Sequence, residues 1–391
     1  MPTVMMTPDT AEDLAEAIRR PALHDRTILL EGNGTKRQMA GPVQEADEHI
    51  STRRFTRVLE YEPRDLTISV EAGVRWKDLR DELSRNRQMV PLDPPFADGA
   101  TVGGVVAANC CGPRRRLYGS ARDLVIGMKF ATLDGRVVSA GGMVVKNVAG
   151  LDMAKLLIGS FGTLAAMVSV NFKVLPTPEA ERTFVVGFAT AQEAVAARDK
   201  VLASGLQPAA IDVLNPAASQ LANRIPSTGK PQWMLAIRAC GNLPAVERWG
   251  REPSIAGAAV FEGSAQEDFW RRIEEFTPAF LDGNPNGAVV RASCTLKELE
   301  YLAASFEGPA IARAGSGVCY GYFEQSAGAA RWLERTAASP WRPVIEFAAG
   351  EESAELDRWP TPGGDFEIMQ RVKRLFDPGN LLNRGRLFRR I

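Results

Sequence analysis

Three runs of small residues in the first half of the chain constrain its fold more than any other feature. They read GATVGGVVAANCCG at 99–112, KNVAGLD at 146–152 and GSFGTL at 159–164. The stretch 91–112 holds too many glycines and prolines for a plain helix or strand, and too many apolar residues for a solvated loop. Such small side chains let the backbone lie against a flat or elongated ligand, and backbone N–H groups can then bind phosphate oxygens. Tight packing of loops in a glycine-rich α/β domain is the alternative, but three separate runs weaken it.

A further glycine loop lies earlier in the chain, directly after a short predicted strand at 27–30. It reads Gly32-Asn33-Gly34-Thr35-Lys36. Two glycines after a strand are typical of the start of a dinucleotide-binding fingerprint, but position 37 is Arg where a third glycine would stand. This departure argues against a Rossmann NAD site, and the chain has no GxxxxGK(S/T) run for a P-loop. The loop stays either a small anion-binding turn or a plain β-turn.

The order of the motifs identifies a resemblance to a known family. A glycine-rich turn, TVGGxxAxN, LYGSxRD, KNVAGxD and GSxGTL follow one another as in the FAD-binding domain of the vanillyl-alcohol-oxidase, or PCMH, type. Within that superfamily the run 114–164 most resembles the FAD-binding E subunits of glycolate oxidases. The resemblance covers about residues 8–178 and is most specific across 91–178. A weaker match, MQRVKRLFDPGNLLNRGRL at 369–387, resembles the C-terminal segment that returns to the flavin domain in this superfamily.

The fold class implied is α+β. We expect a two-lobed PCMH-type FAD-binding domain at 1–178, an α+β cap domain with a mainly antiparallel sheet at 179–365, and a C-terminal segment at 366–391 that returns to the first domain. The residues after Pro178 support a sheet with interleaved helices, because apolar, strand-like runs alternate with amphipathic ones. The predicted strands of this region lie at 183–189, 234–240, 288–294, 317–323 and 343–349.

The resemblance also implies non-covalent FAD and a set of residues around it. No histidine lies in the first glycine turn, where relatives with covalent flavin carry one, and a tether through Cys110 or Cys111 is the alternative. The implied contacts are Gly32, Asn33, Gly34, Thr35 and Lys36 at the first pyrophosphate turn; Thr101, Val102, Gly103, Gly104, Ala107 and Asn109 along the pyrophosphate and isoalloxazine; Tyr118 and Gly119 on the same wall; and Gly150, Asp152, Gly162, Thr163 and Leu164 towards the ribityl and adenine parts.

The departures from the family pattern bear on catalysis. Position 161 is Phe where catalytic relatives commonly carry Glu, Leu151 replaces a common Tyr, and the C-terminal motif reads Asn383-Arg384-Gly385. The only histidines are His24 and His49, so a histidine triad or a multi-histidine metal site is excluded from the rest of the chain. We therefore identify no catalytic residue and predict no metal site.

The five cysteines likewise limit the redox chemistry of the chain. Their number is odd and no C-x-x-C pair occurs, which argues against a disulfide framework and an iron–sulfur cluster. The neighbours Cys110 and Cys111 are either a redox pair or two small residues in a tight backbone site. Redox chemistry here needs an organic cofactor and an external acceptor.

A carboxylate substrate would favour a buried arginine, because the guanidinium fork binds both carboxylate oxygens. Arg238 and Arg291 lie in apolar strand-like runs, and Arg313 precedes a Gly-Ser-Gly turn. These three are the candidate substrate ligands. The alternative for each is a solvated arginine or a structural ion pair.

The leading hypothesis is an FAD-dependent oxidoreductase acting on CH–OH groups, as the FAD-binding subunit of a glycolate oxidase complex. Its implied partners are a second flavin subunit, an iron–sulfur subunit and a small 2-hydroxy acid. The alternatives are a non-catalytic electron-transfer or assembly subunit and a free-standing FAD-dependent 2-hydroxy-acid dehydrogenase. With 47 Lys+Arg against 47 Asp+Glu, the charge balance argues against nucleic-acid binding. No apolar run is long enough for a membrane span and no signal peptide is evident, so we expect a cytoplasmic protein, which partner subunits can bring to the inner membrane face.

Overall fold

The computed structural model describes residues 5–143, 151–222, 232–350 and 356–391. The chain divides into two compact units. Unit 1 comprises the described residues of Met1–Cys111, Gly119–Thr177 and Thr361–Ile391, and unit 2 those of Gly112–Tyr118 and Pro178–Pro360. The boundaries predicted from the sequence lie at 178 and 365, and the prediction gives Gly112–Tyr118 to the first domain.

The described residues form strands and helices throughout both units. The strands are β1 Met5–Met6, β2 Ile28–Glu31, β3 Glu48–Ser51, β4 Val58–Glu62, β5 Thr67–Glu71, β6 Gln88–Met89, β7 Val125–Ala131, β8 Val137–Gly141, β9 Ala166–Lys173, β10 Leu175–Pro176, β11 Ala180–Phe188, β12 Ala210–Leu214, β13 Trp233–Gly241, β14 Ala259–Phe261, β15 Ala288–Ser293, β16 Ala310–Arg313, β17 Val318–Phe323 and β18 Arg342–Ala348. The α-helices are α1 Ala11–Ala22, α2 Trp76–Ser84, α3 Val102–Ala107, α4 Arg115–Tyr118, α5 Ala121–Leu124, α6 Met153–Leu157, α7 Ala191–Ala203, α8 Pro216–Ala222, α9 Leu243–Trp249, α10 Gly263–Glu274, α11 Phe276–Gly283, α12 Leu299–Ala304, α13 Ser326–Arg335 and α14 Phe366–Phe376.

Unit 1 contains two larger sheets of different kinds. A parallel sheet has the order β1-β3-β2, and an antiparallel sheet has the order β4-β5-β9-β7-β8. Thr10 with Asp13 three residues later resembles a capping box in the sequence and predicts a helix start. Helix α1 begins there, and the hydroxyl of Thr10 accepts a hydrogen bond from the Asp13 N–H at 3.1 Å. Its buried residues Leu14 and Ile18 pack in a core with Ile28 and Ile50 of the parallel sheet.

One strand differs from its sequence pattern. Leu66, Ile68 and Val70 predict a strand with one buried and one exposed face. All five residues of β5 are buried, and because successive side chains of a strand point to opposite faces, both faces of β5 are covered. Leu66 lies outside the strand with a φ of 56°. The prediction of a half-buried strand is therefore wrong.

The C-terminal residues join the parallel sheet of unit 1. We call Asp377–Ile391 the closing segment. The Ile28 N–H donates to the carbonyl of Leu381 at 2.9 Å, and the Asn383 N–H donates to the carbonyl of Ile28 at 3.0 Å. Backbone hydrogen bonds thus attach this segment alongside β2, whose end leads into the first glycine loop.

Unit 2 is built on one eight-stranded antiparallel sheet. Its order is β14-β11-β13-β12-β16-β17-β15-β18. In the sequence, Thr190 and Glu193 are spaced as in a capping box, which predicts a helix start there. Helix α7 begins with this capping box, in which Thr190 and Glu193 satisfy each other's backbone N–H groups. A stacked pair of rings, Phe306 and Trp332 with centroids 4.5 Å apart, lies in the hydrophobic core. The α+β fold class with a mainly antiparallel second sheet is confirmed.

Candidate functional site

A half-open cavity lies within unit 1; its empty volume, including space that is open to solvent, is about 790 Å³. Three stretches that are far apart in the chain form its walls: the end of β2 with the first glycine loop, helix α3, and the loop that precedes β9. The predicted cofactor residues that line it are Gly32, Asn33, Gly34, Thr35, Lys36, Thr101, Gly103, Gly104, Ala107 and Gly162.

The first glycine loop offers hydrogen-bond donors to this cavity. The backbone N–H groups of Asn33, Gly34 and Thr35 donate to no acceptor within the described part of the chain. Gly34 has a φ of 73°, a conformation that favours glycine and that turns successive N–H groups towards one side. The side-chain amide of Asn33 donates to the carbonyl of Gly99 at 2.9 Å, which fixes the loop against the second glycine run. Such a set of amides can bind phosphate oxygens.

Positive charge accompanies these amides. The Lys36 ammonium is mostly buried, donates to the carbonyl of Pro95 at 3.0 Å and lies 4.8 Å from the centroid of the Phe96 ring. Lys36 is therefore held in place beside the loop rather than extended into solvent. A cation in this position favours an anionic ligand.

A carboxylate at the end of β2 is neutralised by its neighbours. Glu31 accepts a hydrogen bond from Arg37 Nε at 2.7 Å, and its other oxygen lies 2.9 Å from His49 Nε2. Burial acts to raise the pKa of Glu31, but the hydrogen bonds and charges of Arg37 and His49 outweigh it, so the pKa lies below its usual value. The Glu31 charge is thus engaged within the protein, which reduces its repulsion of an anion in the cavity.

Helix α3 forms a close-packed wall. The N–H groups of Gly103 and Gly104 donate to the carbonyl of Ala72 at 2.7 Å and to the Thr101 hydroxyl at 3.2 Å. These amides are therefore already used, and the two glycines contribute through their lack of side chains. A Cβ on Gly103 would lie 2.9 Å from the Cβ of Ala72, whereas one on Gly104 would meet only the Thr101 hydroxyl, at 3.2 Å. Gly103 allows α3 to pack against β5, and Gly104 leaves space for a flat group.

The third wall is the loop Ser160–Leu164. Phe161 and Gly162 both have left-handed backbone, with φ of 52° and 70°. The Phe161 N–H donates to the carbonyl of Ala107 at 2.9 Å, and its ring lies under the guanidinium of Arg386, 5.6 Å from the ring centroid. At this position the wall therefore presents an apolar ring and not a carboxylate.

Several predicted cofactor residues lie outside the cavity lining. Val102 and Leu164 are buried, and the Thr163 hydroxyl donates to the carbonyl of Ser160 at 2.8 Å. Asn109, two residues beyond α3, has a φ of 50° and a buried side-chain oxygen that meets no donor among the described residues. Their part in cofactor binding stays a prediction.

The remaining predicted cofactor residues are placed differently. The Tyr118 hydroxyl, in unit 2, lies 3.4 Å from Cys240 Sγ, and Gly119 has a φ of 83° that any side chain would strain. Asp152 caps α6 by accepting from the Lys155 N–H at 3.2 Å. Gly150 lies outside the described residues. For Tyr118 and Asp152 the structure thus shows partners within the protein.

The three candidate substrate arginines each have a carboxylate partner in unit 2. Arg238 Nη2 donates to Glu181 Oε2 at 2.7 Å, and Arg291 Nε donates to Glu346 Oε1 at 3.1 Å. Arg313 pairs with the fully buried Asp212, and its guanidinium lies 5.4 Å from the Tyr320 ring centroid. These contacts match the ion-pair alternative, and substrate binding by these residues stays a prediction.

The cofactor residues predicted from the sequence do not include the whole lining of the cavity. Ala72 follows β5, and Asn383 and Arg386 come from the closing segment. A signal for the latter two existed, because both lie inside the C-terminal motif at 369–387. Their exact placement depends on contacts across some 350 residues of chain, such as that between Asn383 and Leu30, 353 positions apart.

The residues present fit a flat, elongated group that carries phosphates. The first glycine loop supplies backbone amides that are unpaired among the described residues, together with Lys36, at one wall, and Gly104 leaves free space at another. Apolar side chains such as Leu30, Ala165 and Met167 complete the lining. Among the described residues no group of three or more His, Cys, Asp or Glu side chains is placed to hold a metal ion. Across the same residues, no helix has both the length and the apolar surface needed to cross a bilayer.

Comparisons with known proteins match the chain to two domain families and to a known fold. The family described as "FAD binding domain" matches residues 2–141, and the family described as "FAD linked oxidases, C-terminal domain" matches residues 177–326 and 349–387. The 4-ethylphenol oxidase of Gulosibacter chungangensis has a similar fold, with a TM-score of 0.72 at 15% identity over 98% of this chain and 89% of that one.

Two curated relatives extend the comparison. The glycolate oxidase subunit GlcE of Escherichia coli (strain K12) is 34% identical over 174 residues, which are 44% of this chain and 49% of that protein. The D-lactate dehydrogenase of Archaeoglobus fulgidus is 24% identical over 411 residues, which cover 99% of this chain and 92% of that protein. The chain spans about half the length of the first curated relatives, from 44% to 53%. With an FAD-binding domain followed by the C-terminal domain of FAD-linked oxidases, the chain belongs to the FAD-linked oxidoreductases with a PCMH-type FAD-binding domain.

Proposed function

We propose that this chain is the FAD-binding subunit of a glycolate oxidase complex. The observation that carries the proposal is its 34% identity to a glycolate oxidase subunit across 174 residues, together with a cavity in unit 1 that the first glycine loop and helix α3 line. The reaction proposed is the oxidation of glycolate to glyoxylate. Electrons then pass to an iron–sulfur subunit, with a second flavin subunit in the same complex.

The proposed roles follow from the cavity walls. The amides of Asn33, Gly34 and Thr35 hold the diphosphate, and Lys36 balances its charge. Gly104 leaves room for the flat ring system, and the apolar lining keeps water from it. The FAD is non-covalent, since the glycine turn supplies no histidine. When bound, FAD supplies the electron acceptor for the hydride that leaves the α-carbon of the substrate.

The cysteine and histidine content supports a role within a complex. All five cysteines lie in described residues and none forms a disulfide, while none of them belongs to a group that could hold a metal ion. His24 is exposed and His49 pairs with Glu31. The described residues thus offer no ligand set for an onward electron path, which we assign to partner subunits. In this proposal the complex is cytoplasmic, and partners bring it to the inner membrane face.

A free-standing 2-hydroxy-acid dehydrogenase is the second candidate. The D-lactate dehydrogenase of Archaeoglobus fulgidus favours it, because that relative aligns over 99% of this chain and 92% of its own length. Such an enzyme would reduce its FAD with substrate and no partner chain.

Anaerobic spectroscopy tests both candidates. The purified chain is reconstituted with FAD, freed of excess cofactor and mixed with glycolate or D-lactate without oxygen. We expect the oxidised flavin band to stay with the chain alone and to bleach with glycolate once partner subunits are added. The variant Gly104→Val, prepared in the same way, gives the baseline for a chain without a fitting cavity.

Each other outcome has a defined meaning. Bleaching of the chain alone by either acid would favour the free-standing dehydrogenase. Bound flavin that no addition bleaches would indicate an electron-transfer or assembly subunit. Failure of the wild-type chain to retain any FAD would overturn the proposed function.

A further inference from the structure

Asn383 joins three separate parts of the cofactor cavity. Its side-chain oxygen accepts from the Leu30 N–H at 2.7 Å, and its side-chain amide donates to the carbonyls of Leu30 at 2.9 Å and Phe161 at 2.8 Å. Leu30 belongs to the wall that carries the open amides, and Phe161 belongs to the third wall. One side chain of the closing segment therefore fixes the spacing between two walls.

The local geometry leaves little room for any other side chain at this position. Asn383 is mostly buried and has a φ of 41°, which asparagine tolerates better than most residues. A Cβ on Gly162 would lie 2.7 Å from Asn383 Nδ2, so the glycine permits this close approach. The contact thus depends on an asparagine on one side and a glycine on the other.

The rest of the closing segment is held in place by buried charges. The Lys373 ammonium donates to Asp377 Oδ2 at 2.6 Å, to the carbonyl of Thr163 at 2.7 Å and to that of Leu382 at 3.1 Å. The Asp377 carboxylate also accepts from the N–H groups of Leu381 and Leu382. Because Thr163 follows Phe161 and Gly162, the same loop is held at two points, one of which is Asn383.

The loop needs such support. Phe161 adopts left-handed backbone, which costs a non-glycine residue free energy unless surrounding contacts enforce it. Its carbonyl is oriented by Asn383 and its N–H by the carbonyl of Ala107. Without the Asn383 amide, the loop loses one of the two backbone contacts at this residue.

We propose that Asn383 is a positioning residue through which docking of the closing segment sets the affinity for FAD. Asn383 need not touch the cofactor, since it acts by holding Leu30 and Phe161 at the distance that the cavity requires. The coupling is reciprocal: FAD must stabilise docking of the closing segment by the factor by which docking strengthens FAD binding. The proposal depends on FAD occupying this cavity.

Two variants of Asn383 separate the side chain from the backbone. Asn383→Asp keeps the shape and the acceptor for the Leu30 N–H but replaces both donated hydrogen bonds by repulsion between oxygens. Asn383→Gly keeps the left-handed backbone and removes all three hydrogen bonds. Arg384→Ala is the matched control, because the neighbouring Arg384 donates to the carbonyl of Glu45 at 3.4 Å and its charge acts on Asp47, and neither of these residues lines the cavity.

FAD affinity and hydrogen exchange are the two measurements. We expect the dissociation constant for FAD, measured by quenching of FAD fluorescence, to rise about 10- to 100-fold in Asn383→Asp and Asn383→Gly, as the loss of two or three buried hydrogen bonds predicts. Excess FAD should restore the flavin spectrum of both variants. In the wild type, FAD should slow hydrogen exchange of the amides in 377–391, and this protection should shrink in both variants while Arg384→Ala behaves as wild type.

The outcomes are distinguishable. Wild-type FAD affinity in both Asn383 variants, or no change in exchange of 377–391 when FAD binds, would overturn the coupling and leave the proposed function intact. A lower melting temperature of the cofactor-free variants with unchanged FAD affinity would show a purely structural role and also overturn it. A wild-type chain that binds no FAD would overturn both proposals.

Discussion

The two units use polar groups in opposite ways. In unit 1, the backbone amides of Asn33, Gly34 and Thr35 have no acceptor among the described residues, and these three residues line the cavity. In unit 2, Arg238, Arg291 and Arg313 lie on the sheet and each pairs with a carboxylate of the same unit.

This difference indicates which of the two units can bind a charged ligand without breaking hydrogen bonds or ion pairs within the protein. Open amides on a glycine turn break no hydrogen bond within the protein when a phosphate binds, whereas a paired guanidinium must give up its carboxylate before it can bind another one. The paired arginines of unit 2 are therefore better explained by stability, and the small residues of unit 1 by ligand binding. Four predictions test that division.

The largest effect is expected when a buried pair of unit 2 is broken. Asp212→Ala leaves Arg313 in the sheet without its carboxylate, and we expect a loss of about 3–5 kcal/mol in the free energy of unfolding. Urea denaturation measures it. Glu346→Ala is the control, because its partner Arg291 is about one-third exposed and the loss should stay below about 1 kcal/mol. Equal losses of unfolding free energy in Asp212→Ala and Glu346→Ala would contradict a stabilising role for the Arg313–Asp212 pair.

The next effect concerns the wall of the cavity. Gly104→Val places branched carbon atoms into the space beside Thr101, and we expect the affinity for FAD to fall by at least about 100-fold while the apoprotein stays folded. Gly103→Val should instead destabilise the fold, because its side chain would meet Ala72 in the packing between α3 and β5. Measuring flavin content and the melting temperature of each variant distinguishes loss of FAD binding from loss of stability. Normal flavin content in Gly104→Val would show that the flavin ring system does not lie against helix α3.

A smaller effect is expected for the lysine beside the amides. Lys36→Met keeps the apolar stem and removes the charge, so the affinity for FAD should fall by about 10-fold. Titrations with FAD at low and high salt test whether the lost charge of Lys36 causes this fall in affinity. The wild-type affinity should decrease with salt more steeply than that of the variant, and parallel salt dependence would show that Lys36 carries no phosphate contact.

The smallest effect is a shift in acid stability. The pKa of Glu31 is lowered in the folded protein, so its charge stabilises the fold fully above the unfolded pKa of about 4.3 and this contribution is lost as the pH falls through the folded value. Glu31→Gln should cost about 1 kcal/mol or less at pH 7, since Arg37 is half-exposed. The difference in unfolding free energy between pH 7 and pH 3 should be smaller in the variant than in the wild type.

The sequence predicts local features better than distant ones. The capping residues Thr10 and Thr190 depend only on near neighbours in the chain, and the sequence predicts both. The dipeptide Asp134-Gly135 likewise predicts a turn, and the Gly135 N–H donates to the carbonyl of Thr132. Strands β12 and β16 are not among the predicted strands, because each is a run of only five or four residues.

Contacts between distant residues also limit what the sequence predicts about the cavity. Gly103 and Gly104 were predicted as cofactor residues, and both line it, but the use of their amides by Ala72 and Thr101 depends on how α3 packs against β5. The role of Asn383 depends on a contact with Leu30 that no short-range pattern encodes. Residue types thus predicted the kind of ligand, while packing decides which atoms remain open to it.

The discontinuity of unit 1 has a consequence for biosynthesis. Its last piece, Thr361–Ile391, follows the whole of unit 2 in the chain. Domains fold in order as a chain leaves the ribosome, so unit 2 can fold while unit 1 still lacks the strand-like pairing that the closing segment provides to Ile28. Residues that bracket the cavity are then translated about 350 positions apart, with Leu30 early and Asn383 late. Completion of the cofactor site is thereby postponed until synthesis has passed Asn383, and a ribosome that stalls within unit 2 yields a chain that cannot complete this cavity.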